Sequence, residues 1–334
     1  LGNASRPLYG RFDGGRLHVQ PMRYDDVACF YEGSSYSPRD VLLMYGALGE
    51  SPKYHSLVDP GQSPENQIAQ LLFDPTGPLA EEGRYLLISE QVRDPAPYNA
   101  ILRSIAHGRT RRNEIADTTG IPVANLQHPL DVLQSLGWVH RETPLGDASG
   151  RRALYRLSDP FLHFHYRFVA PAASRIAFSS CTDVFDREVQ PHLDDYMGRW
   201  IFESVCGQWL TRHAGSLGFA LTETGRYWNR SHGSGIDLVA SCDDRTTVFA
   251  ECKWSASSPV GPAVLNGLRF KAAQCGIGDA SRAAYVVFSV GGFTEDLEAI
   301  ANEDDHVFLI SGDRLFGAAT PPPSPQGRRR RSSP

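Results

Sequence analysis

The sequence predicts an α/β (α+β) chain, helical through its first two thirds and ending in a mixed α/β sheet domain. Three observations predict this. Apolar residues recur at helical spacing between Val41 and Leu210. Short apolar runs with strand character cluster late, at residues 236–240, 246–253, 284–290 and 306–310. Helical stretches at 260–274 and 295–302 separate the last of these runs, and strands alternating with helices build a mixed sheet.

Composition bounds the class. A chain of 334 residues has the length of about two domains, and 41% hydrophobic with 21% charged residues is ordinary globular protein. It has no apolar run long enough to span a bilayer, so no membrane role is expected. The first residues, LGNASRPLYG, lack a signal-peptide pattern and an initiator methionine, so a piece of a longer cytoplasmic protein is expected. Six scattered cysteines without a CxxC pair argue against a zinc ribbon or a disulfide framework. The net charge of −5 supplies no global attraction to nucleic acid, so any DNA contact must come from local basic patches.

In chain order, residues 1–94 open with a β-like piece at 11–22 and turn helical. Ser37-Pro38-Arg39-Asp40 reads as a helix start with proline in the first turn, leading into 41–48, and 78–92 carries a second helix. Residues 95–160 follow the pattern of a winged helix-turn-helix: helices at 98–107, 111–118 and 123–136, a turn at Gly120, and wing strands at 138–142 and 153–157 around a tip at 146–150. Leu126, Leu130, Leu133 and Leu136 share one face of the third helix. That helix is poor in Arg and Lys, so base reading is not expected of it. Arg109, Arg111, Arg112, Arg151 and Arg152 are the candidate phosphate contacts, and a DNA-free spacer is the competing reading. Residues 161–198 form a helical connector in which His163 and His165, two apart, read as packing residues. Residues 199–318 hold the sheet domain, and 319–334 a basic tail too poor in apolar residues to fold.

The chemistry concentrates at Gly235-Ile236-Asp237 and at Glu251-Cys252-Lys253. Strand alternation points Glu251 and Lys253 to one face and Cys252 to the other. A hairpin turning at 242–245 brings Asp237 beside Glu251. Two carboxylates at that spacing suit Mg²⁺, with the Cys252 carbonyl as a further ligand, and a neighbouring ammonium orients a water for attack on a phosphodiester. Glu203, on the helix expected at 196–213, is a candidate fourth catalytic residue, with an ordinary exposed carboxylate as its alternative.

An acid, a gap, then acid-x-lysine resembles the PD-(D/E)XK nuclease superfamily, a restriction-endonuclease-like fold that often adds a glutamate on the preceding helix. Gly235 stands where many relatives carry glutamate, a departure expected to lower metal affinity. More widely, Ser5–Arg11 (SRPLYGR), Tyr45–Tyr54 (YGALGESPKY), Pro97–Leu102, Tyr155–Phe161 and Phe249–Trp254 resemble a prokaryotic, archaeal-type P-loop ATPase family related to AAA and STAND ATPases. Its members end in a winged helix and a nuclease-like domain of unknown function. The resemblance makes residues 1–94 a helical ATPase-lid remnant and Pro52 a nucleotide-lid residue. No G-x-x-x-x-G-K-[ST] occurs in the chain. ATP binding is therefore expected only in a full-length form with an upstream ATPase core, and an oligomer is compatible with that family.

Three functions compete on these residues. A Mg²⁺-dependent DNA endonuclease is preferred because Asp237, Glu251 and Lys253 are all present. A catalytically idle nuclease fold that docks DNA or regulates an ATPase is the alternative. A transcription regulator is least favoured, since the third helix lacks base-reading side chains.

Overall fold

The computed structural model describes residues 19–90, 94–229, 235–254, 258–279 and 282–317. The basic tail and most of the expected β-like piece at 11–22 lie outside these residues. Its end, residues 19–22, has no regular structure. Helix α1 (Tyr24–Ala28) leads to α2 (Pro38–Leu48). The helix start read at Ser37-Pro38 is physical: Ser37 Oγ accepts from the Asp40 amide while Asp40 Oδ2 accepts from the Ser37 amide at 2.9 Å. From Val41 to Leu48 every residue of α2 is buried, so this helix is a core element, not a surface one. It ends at Gly49 with φ of +71°, where a β-carbon would overlap Asp159 and Phe161. Short helices α3 (Pro52–His55), α4 (Pro64–Phe73) and α5 (Glu82–Ser89) follow.

Helices α6 (Pro95–Ala106), α7 (Arg112–Thr119) and α8 (Gln127–Ser135) precede an antiparallel hairpin, β1 (Val139–Glu142) with β2 (Leu154–Leu157). Gly120 caps α7 at φ of +72°, as the expected turn requires. The third helix is shorter than 123–136. Pro122 precedes a 3₁₀ turn at Val123–Asn125, and the α-helix starts only at Gln127. Ile101, Ile105, Ile115, Leu130, Leu133 and Tyr155 form this unit's own core.

The connector contains α9 (Pro160–Phe164), a π-helical turn at His165–Val169, then α10 (Ala170–Ile176), α11 (Cys181–Glu188) and α12 (Leu193–Tyr196). His163 and His165 are buried, and burial pushes their pKa values down to about 3 and about 4, so both pack as neutral rings. A second π-helical turn at Met197–Phe202 runs into α13 (Glu203–His213).

Five strands form the main sheet in the order β3-β4-β5-β6-β7: β3 (Leu221–Tyr227), β4 (Ile236–Cys242), β5 (Thr247–Lys253), β6 (Ala283–Ser289) and β7 (Val307–Ser311). The first three run antiparallel and the last three parallel. Parallel strands need crossovers, supplied by α14 (Pro262–Cys275) and α15 (Glu295–Glu303). Helix α16 (Gly312–Phe316) ends the described chain. Strand β3 was not expected. Its residues, LTETGRY, form no apolar run because it is an edge strand with one partner and an exposed middle.

The main core joins Leu42, Leu43 and Leu48 of α2 to Phe202 and Trp209, and these to Val248, Ala250 and Phe288 of the sheet. The helices from Tyr24 to Leu79 and the sheet domain thus share one apolar interior. The hairpin β1–β2 is tied to β3 at its tip: the Leu145 amide donates to the Arg226 carbonyl at 2.8 Å, and the Trp228 indole donates to the Arg152 carbonyl at 3.1 Å. Among the described residues no helix is long and apolar enough to cross a membrane.

Candidate active site

Strands β4 and β5 pair with Leu238 opposite Ala250, so the next step of the antiparallel register sets Asp237 opposite Glu251. Facing residues of such a pair share a face of the sheet. Glu251 and Lys253 also share a face, and the Lys253 ammonium donates to Glu251 Oε1 at 2.8 Å. Asp237 Oδ2 accepts the Cys252 amide at 2.8 Å, which ties the two strands together at the site itself. The Cys252 thiol lies in the main core beside Cys206, and Cys252 pairs with Phe288 in the β5–β6 ladder.

Glu203 is the first residue of α13, directly after the π-helical turn, and its side chain is only 13% exposed. It faces inward. The Arg226 guanidinium from β3 is in ion-pair contact with it, and Arg156 from β2 stands 3.9 Å away. Arg156 also reaches Glu142 of β1 at 3.7 Å. The hairpin, the edge strand and α13 therefore meet over one polar cluster, which lines a cleft of about 580 Å³.

Burial first, then the charges of Asp237, Glu142 and Glu251, raises the Glu203 carboxyl well above the usual carboxylate range, and the Arg199 charge opposes this. Burial and the Glu251 charge raise Asp237, while its bond to the Cys252 amide and the charges of Arg226 and Lys253 pull it back. For Lys253, burial lowers the pKa, but the bond to Glu251 and the charges of Glu251 and Asp237 outweigh it, so the ammonium form is favoured.

Mutual repulsion among Asp237, Glu251 and Glu203 is the electrostatic setting that a divalent cation relieves, and carboxylate oxygens are the donors Mg²⁺ takes. Asp237 and Glu251 are the two carboxylates that face each other across β4 and β5. A third ligand is not assembled: Glu203 is held by Arg226, and among the described residues no group of three or more His, Cys, Asp or Glu stands ready to hold a metal.

Sequence reasoning missed the roles of four members of this neighbourhood. Lys271 of α14 donates to both Glu251 oxygens, at 3.0 and 2.9 Å. Arg226 came from the unrecognised edge strand, and Arg156 and Glu142 from wing strands with no visible link to residue 203. None of these carries a motif signal, because each reaches the site across 14 or more residues of chain.

On the winged helix, Arg111, Arg112, Arg151 and Arg152 line one groove of about 980 Å³, joined by Arg141. Arg109 lies apart, beside Asn99, Arg103 and Tyr166. Three of the grouped arginines have internal tasks: Arg112 donates to the Val123 carbonyl at 3.2 Å, Arg141 donates to the Gly150 carbonyl at 2.7 Å, and Arg152 binds Asp147 at 3.2 Å and the Trp228 carbonyl at 3.0 Å. Arg151 is exposed.

Pro52 opens α3 next to a half-buried acid. Glu50 Oε1 accepts from the Tyr45 hydroxyl at 3.2 Å, and burial with the nearby Asp159 charge pushes Glu50 up to about 7.

Comparison with known proteins bears on the centre of this structure. A relative in Methanocaldococcus jannaschii, "Uncharacterized protein MJECL04", is 26% identical over 253 residues, which is 74% of this chain and 55% of that protein. The chain thus spans about half the length of that relative. A solved structure, "Crystal structure of protein VC1899 from Vibrio cholerae", aligns over 92% of this chain and 62% of that one at 14% identity, with a TM-score of 0.25, too low to imply a shared fold. Residues 165–262, which contain Glu203, Asp237, Glu251 and Lys253, match the family model DUF234, described as archaea bacterial proteins of unknown function.

Proposed function

We infer that the chain is the C-terminal part of a prokaryotic ATP-binding protein and carries a Mg²⁺-dependent DNA endonuclease site beside a DNA-binding winged helix. The observation that supports this most is Asp237 set opposite Glu251 by the β4–β5 register, with the Lys253 ammonium 2.8 Å from Glu251. The strand and helix order from α13 to β6 also agrees with the PD-(D/E)XK resemblance.

Asp237 and Glu251 would hold the ion. Mg²⁺, when bound, supplies charge neutralisation at the phosphate and an acidified water. Lys253 adds a fixed positive charge for the phosphorane that develops in the transition state, and orients the attacking water. Glu203 joins this set only if Arg226 releases it. The winged-helix groove would hold duplex phosphates through Arg111 and Arg151. A nucleotide bound near Pro52 would need a phosphate loop that these 334 residues do not contain.

Nicking of supercoiled plasmid tests the reading. The wild type is expected to nick in Mg²⁺ or Mn²⁺ and not in EDTA. Lys253→Ala is expected to lose at least about a hundredfold of the rate with its fold retained, the scale of removing one transition-state charge. A second reading, an idle nuclease fold that docks DNA or regulates an ATPase, is favoured by one observation: Glu251 already binds two ammonium groups. A wild type that never cleaves single-stranded, duplex or branched DNA makes this second reading the correct one.

A further inference from the structure

The Glu251 carboxylate is 7% exposed and has two lysines on it. Lys253 contacts one oxygen, at 2.8 Å, and Lys271 contacts both, at 3.0 and 2.9 Å. Asp237 and Glu251 together carry two negative charges, which Lys253 and Lys271 offset, so a divalent cation at the pair would leave a surplus positive charge beside a site whose proposed substrate is a polyanion. The two cations differ in origin. Lys253 shares a strand with Glu251, whereas Lys271 is carried by α14, which packs across β5. Among the described residues Glu251 is the hydrogen-bond partner of Lys271, and the Lys271 side chain is 27% exposed, so its ammonium lies at the rim, within reach of solvent.

The geometry points to Lys271 as a phosphate-binding residue of this site that also guards Glu251 in the metal-free chain. This rests on the nuclease reading above. Lys271 holds both oxygens of Glu251, so a divalent cation that took the free side of this carboxylate would meet its ammonium on either oxygen, whereas Lys253 touches Oε1 alone and leaves Oε2 open. Metal entry would therefore displace Lys271. The freed ammonium then meets a non-bridging phosphate oxygen of the DNA strand, where a point charge on a flexible stem is the suitable donor. Lys271 thus makes metal binding weak without DNA and DNA binding stronger with metal, a reciprocal coupling.

The test uses the whole chain with Lys271→Met, which keeps the length and removes the charge, and Lys271→Arg, which keeps the charge. Mn²⁺ affinity is measured by calorimetry without DNA, and affinity for a short labelled duplex by fluorescence anisotropy in Ca²⁺ and in EDTA. Lys271→Met is expected to bind Mn²⁺ about three- to tenfold more tightly and the duplex in Ca²⁺ about three- to tenfold more weakly, with no change in EDTA, the range of one desolvated charge contact. Lys271→Arg is expected to restore both toward wild type. If the wild type binds Mn²⁺ and Lys271→Met alters neither affinity, Lys271 is only a structural counter-ion and the inference fails while the metal site stands. If both variants shift together and their thermal midpoints fall, the effect is packing and the inference also fails. If the wild type binds no Mn²⁺ and cleaves no DNA, the nuclease reading itself falls, and this inference with it.

Discussion

Asp237 does two things at once: its carboxylate accepts the Cys252 amide, and its charge faces that of Glu251. Replacing it with alanine would remove the repulsion but orphan a buried amide, two effects of opposite sign. Asparagine keeps the acceptor and removes the charge. Asp237→Asn is therefore expected to abolish any metal-dependent cleavage while stabilising the metal-free chain by about 1 kcal/mol, the usual scale for relieving a strained site; equilibrium urea unfolding measures it. A second residue-level effect sits at Glu50 and Asp159, which burial pushes up to about 7 and about 6. Folded pKa values above the unfolded ones mean that the folded chain binds more protons. Their contribution to stability is complete below the unfolded values near pH 4 and is lost as pH rises through about 6 to 7. The thermal midpoint of the wild type is expected to fall between about pH 5 and about pH 8 by more than that of Glu50→Gln. Equal slopes for the two proteins would show that burial does not raise Glu50.

Among elements, the hairpin β1–β2 departs most from a free wing. Its tip is bonded to β3 through Leu145, Arg152 and Trp228, so it braces the sheet and cannot track a DNA groove independently. On the proposed DNA-binding reading, phosphate contact would fall to the groove between α7, α8 and the hairpin. Arg111 and Arg151 are the groove residues to change, since Arg112 and Arg152 also hold the fold. Arg111→Ala with Arg151→Ala is expected to weaken binding to unrelated duplexes alike, and to lower the slope of log K against log salt by about one to two, each phosphate contact contributing about 0.9. A loss of preference for one sequence instead would mean that these side chains read bases. No change would leave the unit as a spacer between α5 and the connector.

At the scale of the whole molecule, the continuous core from α2 through α13 to β5 and β6 joins segments that sequence organisation divides at residues 94 and 199. Cooperative unfolding follows shared burial, so α2 and the five-stranded sheet are expected to melt in one calorimetric transition. A fragment of residues 199–317 would expose the faces that Leu42, Leu43 and Leu48 cover, and is expected to show no cooperative transition of its own. A fragment that melts sharply would restore the division at residue 199.

The positions of Asp237, Glu251 and Lys253 were legible in the sequence because strand alternation and a short hairpin are local rules acting over a few residues. The three helices and hairpin of residues 95–160 were legible for the same reason, through periodicity and the turn glycine Gly120. Strand β3 was not, because an edge strand has one hydrogen-bonded partner and needs no apolar alternation. The π-helical turn before Glu203 was not either, since no spacing in Met197–Phe202 marks a change of pitch. Only the tertiary structure decided what the motif residues touch: Lys271 on Glu251, Arg226 on Glu203, and the Cys252 amide on Asp237. The first two pairings join residues 20 and 23 positions apart, one through a strand-to-helix crossover and the other through a helix-to-strand connection. Their register is set by the packing of α14 and α13 against the sheet, a many-body choice that no local spacing encodes.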